Sequence, residues 1–262
     1  MPALDATDKY EIRREQAALI TGGATRLGRH FALTLARRGY DIALHYNSSA
    51  RAAEKVRQEI TATGRHCEIF HGDFSCETSP AQLIESAHRQ FPTLQLLINS
   101  ASVYEAGNIS ETGPELLREQ FSVNFFAPFL LTAAFAKYVQ SGNIINIIDN
   151  KIGFQQYAYS AYLLSKKALS ELTRLSAIEL APYIRVNGIA PGVILPDESR
   201  TDEYINWREE GIPLQQHGSV EQLSSALNYL LDNNFVTGQV LFVDGGEAIS
   251  HIGRNACNYA DN

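Results

Sequence analysis

The stretch from Ile144 to Lys166, IINIIDNKIGFQQYAYSAYLLSK, decides the reading of this chain. It opens as an apolar, β-branched run, which predicts a buried strand. Asp149 stands where that run ends. Beyond a loop come Tyr162 and Lys166, four apart, so on a helix they share a face. A carboxylate, a phenol and an amine gathered at the C-terminal edge of a parallel sheet make a proton-transfer site. The residues upstream then read as a cradle for a cofactor, and those downstream as the closure of a pocket.

Working outward, apolar runs predict further strands at 17–20, 41–46, 67–71, 94–99, 186–189 and 240–243. Helical patterns fall between them at about 26–38, 50–63, 80–91, 115–139, 158–180 and 220–231. Strands alternating with helices predict an α/β fold, a doubly wound parallel sheet with helices on both faces, because each parallel crossover needs a helix. No internal repeat or interdomain linker interrupts the pattern, so residues 1–262 read as one domain. Pro191 to Gly218 reads as irregular and polar, and the insert at 193–218 follows a strand end, where a lid sits. Residues 247–262 form a tail.

Bulk properties narrow the classes. A chain of 262 residues with 45% hydrophobic and 19% charged residues can bury a large core. A formal net charge of -7, with no basic arm, argues against nucleic acid. Cys67, Cys76 and Cys257 have neither metal nor disulfide spacing and read as reduced thiols of a cytoplasmic protein, with no metal site. The start is polar and acidic, unlike a signal peptide, and no apolar run is long enough for a membrane span.

Thr21–Gly28, TGGATRLG, follows a strand and opens a helix. Gly22 and Gly28 let backbone approach a pyrophosphate, and the helix start, with Leu27 in its first turn, offers free N–H groups. Arg26 stands where many such loops carry glycine, and its guanidinium suits phosphate oxygens. The second strand ends His45-Tyr46-Asn47-Ser48-Ser49, without the acid that bonds the ribose hydroxyls in NAD sites. Neutral hydrogen-bonding groups suit a 2′-phosphate, so NADPH is the expected cofactor. Asp73, in Gly72-Asp73-Phe74-Ser75, is either an acceptor for the adenine amine or a turn residue. Asn99-Ser100-Ala101-Ser102 leaves room for a cofactor at the sheet edge. Tyr104 is either a rim aromatic that stacks on a flat ligand or an ordinary surface tyrosine. Asn124, inside an apolar helix, needs a partner when buried. It either holds Lys166 through water or makes a local structural bond. Apolar residues around most of that helix suggest contact with another subunit. An ammonium near the Tyr162 phenol is expected to lower its pKa.

Together these motifs resemble the short-chain dehydrogenase/reductase family over about residues 15–247. TGGATRLG, Asp73, NSAS, Asn124, Tyr162-Leu163-Leu164-Ser165-Lys166, Ala190-Pro191-Gly192, Thr237-Gly238 and Asp244-Gly245-Gly246 carry the likeness. It implies a Rossmann-like fold and a homotetramer or dimer built through helices 115–139 and 158–180. Pro191 and Gly192 join the implied cofactor residues. Arg26, Asp149 in place of serine, and HYNSSA look like the pteridine reductases and the related dihydromonapterin or dihydrofolate reductases. That likeness implies that Asn47, Ser48 and Ser49 receive the adenosine phosphate. It implies that Ser102 and Tyr104 meet a pterin, with Arg26 between pyrophosphate and pterin. Trp207 matches a tryptophan in that branch's lid. Ser100 and Ile194 depart from it, replacing a common asparagine and serine. His251 and Arg254 are candidates for reaching a neighbouring subunit's pocket.

Asp149 also has a physical reading. A ketone reductase needs a neutral donor where negative charge develops on oxygen. A carboxylate instead suits a ring offering N–H groups or a nitrogen awaiting a proton. The expected activity is NADPH-dependent reduction of a pterin C=N bond through Tyr162, Lys166 and Asp149. The alternatives are a carbonyl reductase of the same fold and a non-catalytic NADPH-binding sensor.

Overall fold

The structure, a computed structural model, describes residues 16–195, 201–250, 254 and 259. The opening segment, part of the expected lid at 196–200, and most of the tail with His251 and Cys257 lie outside the described residues. In chain order come β1 (Ala17–Ile20), α1 (Arg26–Arg37), β2 (Asp41–Tyr46), α2 (Ala50–Ala62), β3 (Cys67–His71) and α3 (Ser79–Gln90). Then follow β4 (Leu94–Asn99), α4 (Pro114–Phe121), α5 (Ala127–Tyr138), β5 (Gly142–Ile147), α6 (Ser160–Glu179) and β6 (Ile184–Pro191). The chain continues through α7 (Asp202–Glu210), α8 (Val220–Asp232), β7 (Val240–Val243) and α9 (Glu247–Ser250).

The strands form one sheet in the order β3-β2-β1-β4-β5-β6-β7, every pair parallel. This is the expected doubly wound α/β fold. Alternating side chains of each strand feed two cores. Ala18 and Ile20 of β1 join Phe31 and Leu35 of α1, Val56 and Ile60 of α2, and Leu223 and Leu227 of α8. Ala17 and Leu19 turn the other way, to Ile84 of α3 and Leu131 and Phe135 of α5. With both faces covered, the strands read as continuous apolar runs. Strand order reverses between β1 and β4, so the loops after these strands part and leave a crevice at their C-terminal ends.

Three local features depart from expectation. The single helix expected over 115–139 is interrupted by a π-helical turn, Ser122–Phe126. Pro128 has no N–H to return to the Asn124 carbonyl, and its ring crowds that turn, which widens. The expected irregular stretch contains α7, capped by Thr201, whose side chain accepts from Tyr204 N at 3.2 Å. Thr201, Asp202 and Glu203 before Gly211 are ordinary start and stop signals. The polar sequence DEYINWREE lacks the apolar stripe that would have announced a helix. Finally, α9 opens the tail.

Candidate active site

The β1–α1 loop is built for close approach. Gly22 has φ +62°, and a Cβ on Gly28 would lie 2.1 Å from the Gly22 carbonyl oxygen. Thr21 pins the loop to the next strand end, accepting from the backbone N–H of Ser100 at 2.9 Å and Ala101 at 3.0 Å. His45 braces it from below. Its Nδ1 accepts from Gly22 N at 3.1 Å, and its Nε2 donates to the Gly72 carbonyl at 3.0 Å. Burial lowers its pKa to about 4, so the ring is neutral and can accept at Nδ1. It stacks on Phe74 with centroids 4.3 Å apart.

Arg26 takes a left-handed backbone, φ +46°, that favours glycine. Its Nη2 donates to the Leu195 carbonyl at 2.8 Å, tying the first turn of α1 to the segment after β6.

Two connected clefts open above the sheet edge. The inner one, about 550 Å³, runs from Gly22 past Ser102 to Tyr162, Lys166 and Gly192. The outer one, about 570 Å³, lies between Tyr104, Tyr159 and the face of α7. A third, about 240 Å³, continues past Tyr46, Asn47, Ser48 and Ser49.

Asp149, Tyr162 and Lys166 meet at the inner cleft. The Tyr162 hydroxyl donates to Asp149 Oδ2 at 2.7 Å. Asp149 Oδ1 accepts from Lys151 N at 2.8 Å, capping the short 3₁₀ turn Asn150–Gly153. The carboxylate therefore serves the loop amide and the tyrosine at once. Lys166 Nζ lies 5.7 Å from the centre of the Tyr162 ring and donates to the Ile147 carbonyl at 3.0 Å. The expectation that Lys166 lowers the Tyr162 pKa is reversed. Burial, and after it the Asp149 carboxylate, raise the phenol well above its ordinary value. Burial lowers Lys166 itself to about 8, against a smaller opposing effect of Asp149.

Several expected residues are placed elsewhere. Asn99 is buried behind the edge, its Nδ2 donating to Asn146 Oδ1 at 2.8 Å, because strand alternation turns it toward α6. Asp73 accepts from Ser75 N at 2.9 Å and does not line the cofactor clefts. Asn124 is bonded directly to the Ser102–Val103 segment. It accepts from Ser102 Oγ at 2.9 Å and Val103 N at 3.0 Å, and donates to the Val103 carbonyl at 2.9 Å. Trp207 stands against Tyr259 and Arg254. The rotation of α7 instead gives the cleft Tyr204, Ile205 and Arg208. Arg254 donates to the Trp207 carbonyl at 3.0 Å.

The structure also brings in residues that sequence reasoning missed. Lys151 Nζ donates to Tyr104 Oη at 2.9 Å and lies 4.0 Å from Asp149 Oδ2. Tyr104 stacks on Tyr159, centroids 4.3 Å apart, and meets the Tyr162 ring edge-on. Tyr159 and Tyr162 are three apart, a helical spacing that was legible. Arg208 Nη2 donates to Glu247 Oε1 at 2.7 Å, and Asn150 Nδ2 donates to Glu247 Oε2 at 2.8 Å.

This sheet, glycine loop and tyrosine–lysine edge define a nucleotide-linked oxidoreductase. A family model described as enoyl-(acyl carrier protein) reductase matches residues 22–247, and the chain belongs to the short-chain dehydrogenase/reductase family. Among solved structures it is similar to FolM alternative dihydrofolate reductase 1 from Brucella canis, complexed with NADP. That likeness has 30% identity, a TM-score of 0.83, and covers 89% of this chain and 94% of the other. Pteridine reductase 1 of Leishmania tarentolae is 29% identical over 279 residues, 89% of this chain and 96% of its own. The 1-cyclohexenylcarbonyl-CoA reductase of Streptomyces collinus is 30% identical over 249 residues, 90% and 88% respectively.

The short-chain dehydrogenase/reductase family binds a nicotinamide cofactor, and the similar Brucella canis structure holds NADP. The residues present fit it. Glycine backbone and the start of α1 face the inner cleft, and the residues lining the third cleft include no carboxylate to repel a phosphate. Among the described residues, no group of three acidic, histidine or cysteine side chains is placed to hold a metal ion. No helix there is long and apolar enough to cross a membrane.

Proposed function

We propose that this chain reduces a C=N bond of a dihydropterin, with NADPH as the reductant. The observation that carries the reading is the 2.7 Å bond from Tyr162 Oη to Asp149 Oδ2 in the inner cleft. Gly22, Leu27, Gly28 and the start of α1 would hold the pyrophosphate. Asn47, Ser48 and Ser49 would receive the adenosine phosphate, with Lys166, Pro191 and Gly192 at the nicotinamide end. When bound, the dinucleotide supplies hydride to the substrate carbon.

The chain's own residues handle the proton. A phenol with a raised pKa stays protonated near neutral pH, the form that donates. Asp149 would accept from a ring N–H, and Tyr162 would protonate a ring nitrogen. Ser102 and Tyr104 would line the bound ring, and Arg26 would hold the Leu195 segment over it. Asn124 would set the position of Ser102. Self-association, as a dimer or tetramer, belongs to the same reading. Phe126 and Phe129 of the 115–139 region and Leu164, Leu175 and Ile178 of α6 are exposed apolar residues that a second copy would cover.

Steady-state NADPH oxidation with dihydrobiopterin, dihydromonapterin and dihydrofolate tests the proposal. Turnover of at least one is expected. Turnover of a 3-oxoacyl thioester with none of the three would overturn it, as would NADPH binding without turnover of any.

A further inference from the structure

The turn after β5 returns a second charged side chain to the catalytic edge. Lys151 Nζ donates to Tyr104 Oη at 2.9 Å and lies 4.0 Å from Asp149 Oδ2. Tyr104 comes from the loop after β4, 47 residues earlier, so one ammonium bridges two loops. Asp149, Lys151 and Tyr104 line both the inner and the outer cleft, and the bridge stands where the two meet. A solubilising lysine keeps its ammonium in water. The Lys151 side chain is only 18% exposed and turns inward onto a phenol and a carboxylate. The Tyr104 ring is thereby held from three directions, by Lys151, by its stack on Tyr159 and by its edge-on contact with Tyr162.

The chemistry gives this bridge a task. In the proposed reduction a ring nitrogen takes the Tyr162 proton as the neighbouring carbon receives hydride. The phenolate left behind lies beside the Asp149 carboxylate that held its proton, until water returns one. Two adjacent anions repel, and the repulsion appears only as the proton moves, so it weighs on the transition state and not on the bound substrate. Cations on either side offset it. Lys166 stands on the tyrosine side, 5.7 Å from the ring centre. On the carboxylate side, Lys151 is the one cation within 4.0 Å of Asp149 among the described residues.

We propose that Lys151 is a positioning residue for the reduction. Through Asp149 it offsets the charge left by proton transfer, and through Tyr104 it fixes the aromatic ring at the junction of the two clefts. The proposal rests on the pterin reading for its substrate and adds a residue outside the tyrosine–lysine pair.

Kinetics of the full chain with NADPH test it, using whichever of dihydrobiopterin, dihydromonapterin and dihydrofolate is turned over fastest. Lys151→Met should lower kcat about tenfold, as expected for a charge that acts in the transition state, and raise KM about threefold. Lys151→Arg keeps a cation and should restore kcat to within about threefold of the wild type. Tyr104→Phe removes the hydroxyl anchor and should raise KM about threefold. The double variant Lys151→Met, Tyr104→Phe should have the KM of Lys151→Met within about twofold, because the contact is already lost. The urea midpoint of Lys151→Met should stay close to that of the wild type, since a partly exposed ion pair adds little stability. A kcat for Lys151→Met within about twofold of the wild type overturns the role whatever the midpoint does, and so does a loss that Lys151→Arg fails to recover. Turnover of a 3-oxoacyl thioester but of no pterin overturns the pterin reading, and the same kcat comparison with the thioester then decides Lys151 separately. Turnover of none of these compounds overturns both.

Discussion

The Tyr162 hydroxyl donates to a carboxylate oxygen of Asp149, thirteen residues earlier in the chain, at 2.7 Å. That bond places a negative charge where reduction of a ketone would build up more negative charge. For a heterocycle offering N–H groups the same charge is an acceptor. Asp149→Ser is therefore expected to lower pterin turnover by about 10²–10⁴-fold, the range for loss of a positioned proton-transfer group. Initial rates with the best pterin check it. Improved turnover in this variant would favour the carbonyl-reductase alternative.

His45 links the cofactor loop to acid stability. Burial lowers its pKa from 6.5 to about 4, so the unfolded chain takes up this proton before the folded one does. Its contribution is complete above pH 6.5 and is lost as pH falls from there to about 4. The size is on the order of a few kcal/mol. In His45→Gln the unfolding free energy should be lower at pH 7.5 and should fall less between pH 7.5 and 5. Urea titrations at the two pH values measure this.

Arg208 and Glu247 form an ion pair buried beside the outer cleft and joined to the Asp149 turn through Asn150. Removing one partner strands the other charge. Glu247→Gln or Arg208→Met should each cost about 3–5 kcal/mol in chemical denaturation. The double variant Arg208→Met, Glu247→Met should recover most of that loss, since no buried charge remains.

Arg26 is held in backbone space that glycine occupies without strain, and its guanidinium ties down Leu195. Arg26→Gly should leave the unfolding free energy unchanged or raise it by up to about 1 kcal/mol of relieved strain. The same variant should raise the KM for a pterin about tenfold by freeing the Leu195 segment. Thermal melts and KM measured on one preparation show whether the two effects separate.

Much of the site was legible in the residues themselves. The β1–α1 glycine loop, the end of β5 at Asp149 and the spacing of Tyr162 and Lys166 are local matters, carried by periodicity and turn chemistry over a few positions. Strand alternation with helices settled the sheet for the same reason. What required the tertiary structure was every property that depends on residues far apart in the chain. The rotation of α7 set Arg208, not Trp207, against the cleft and paired it with Glu247, far along the chain. Partners across the fold, Asn146 for Asn99 and Val103 for Asn124, make both side chains ties between segments. Burial, and after it Asp149, raised the Tyr162 phenol, and desolvation comes from packing that is not written in any short stretch of sequence.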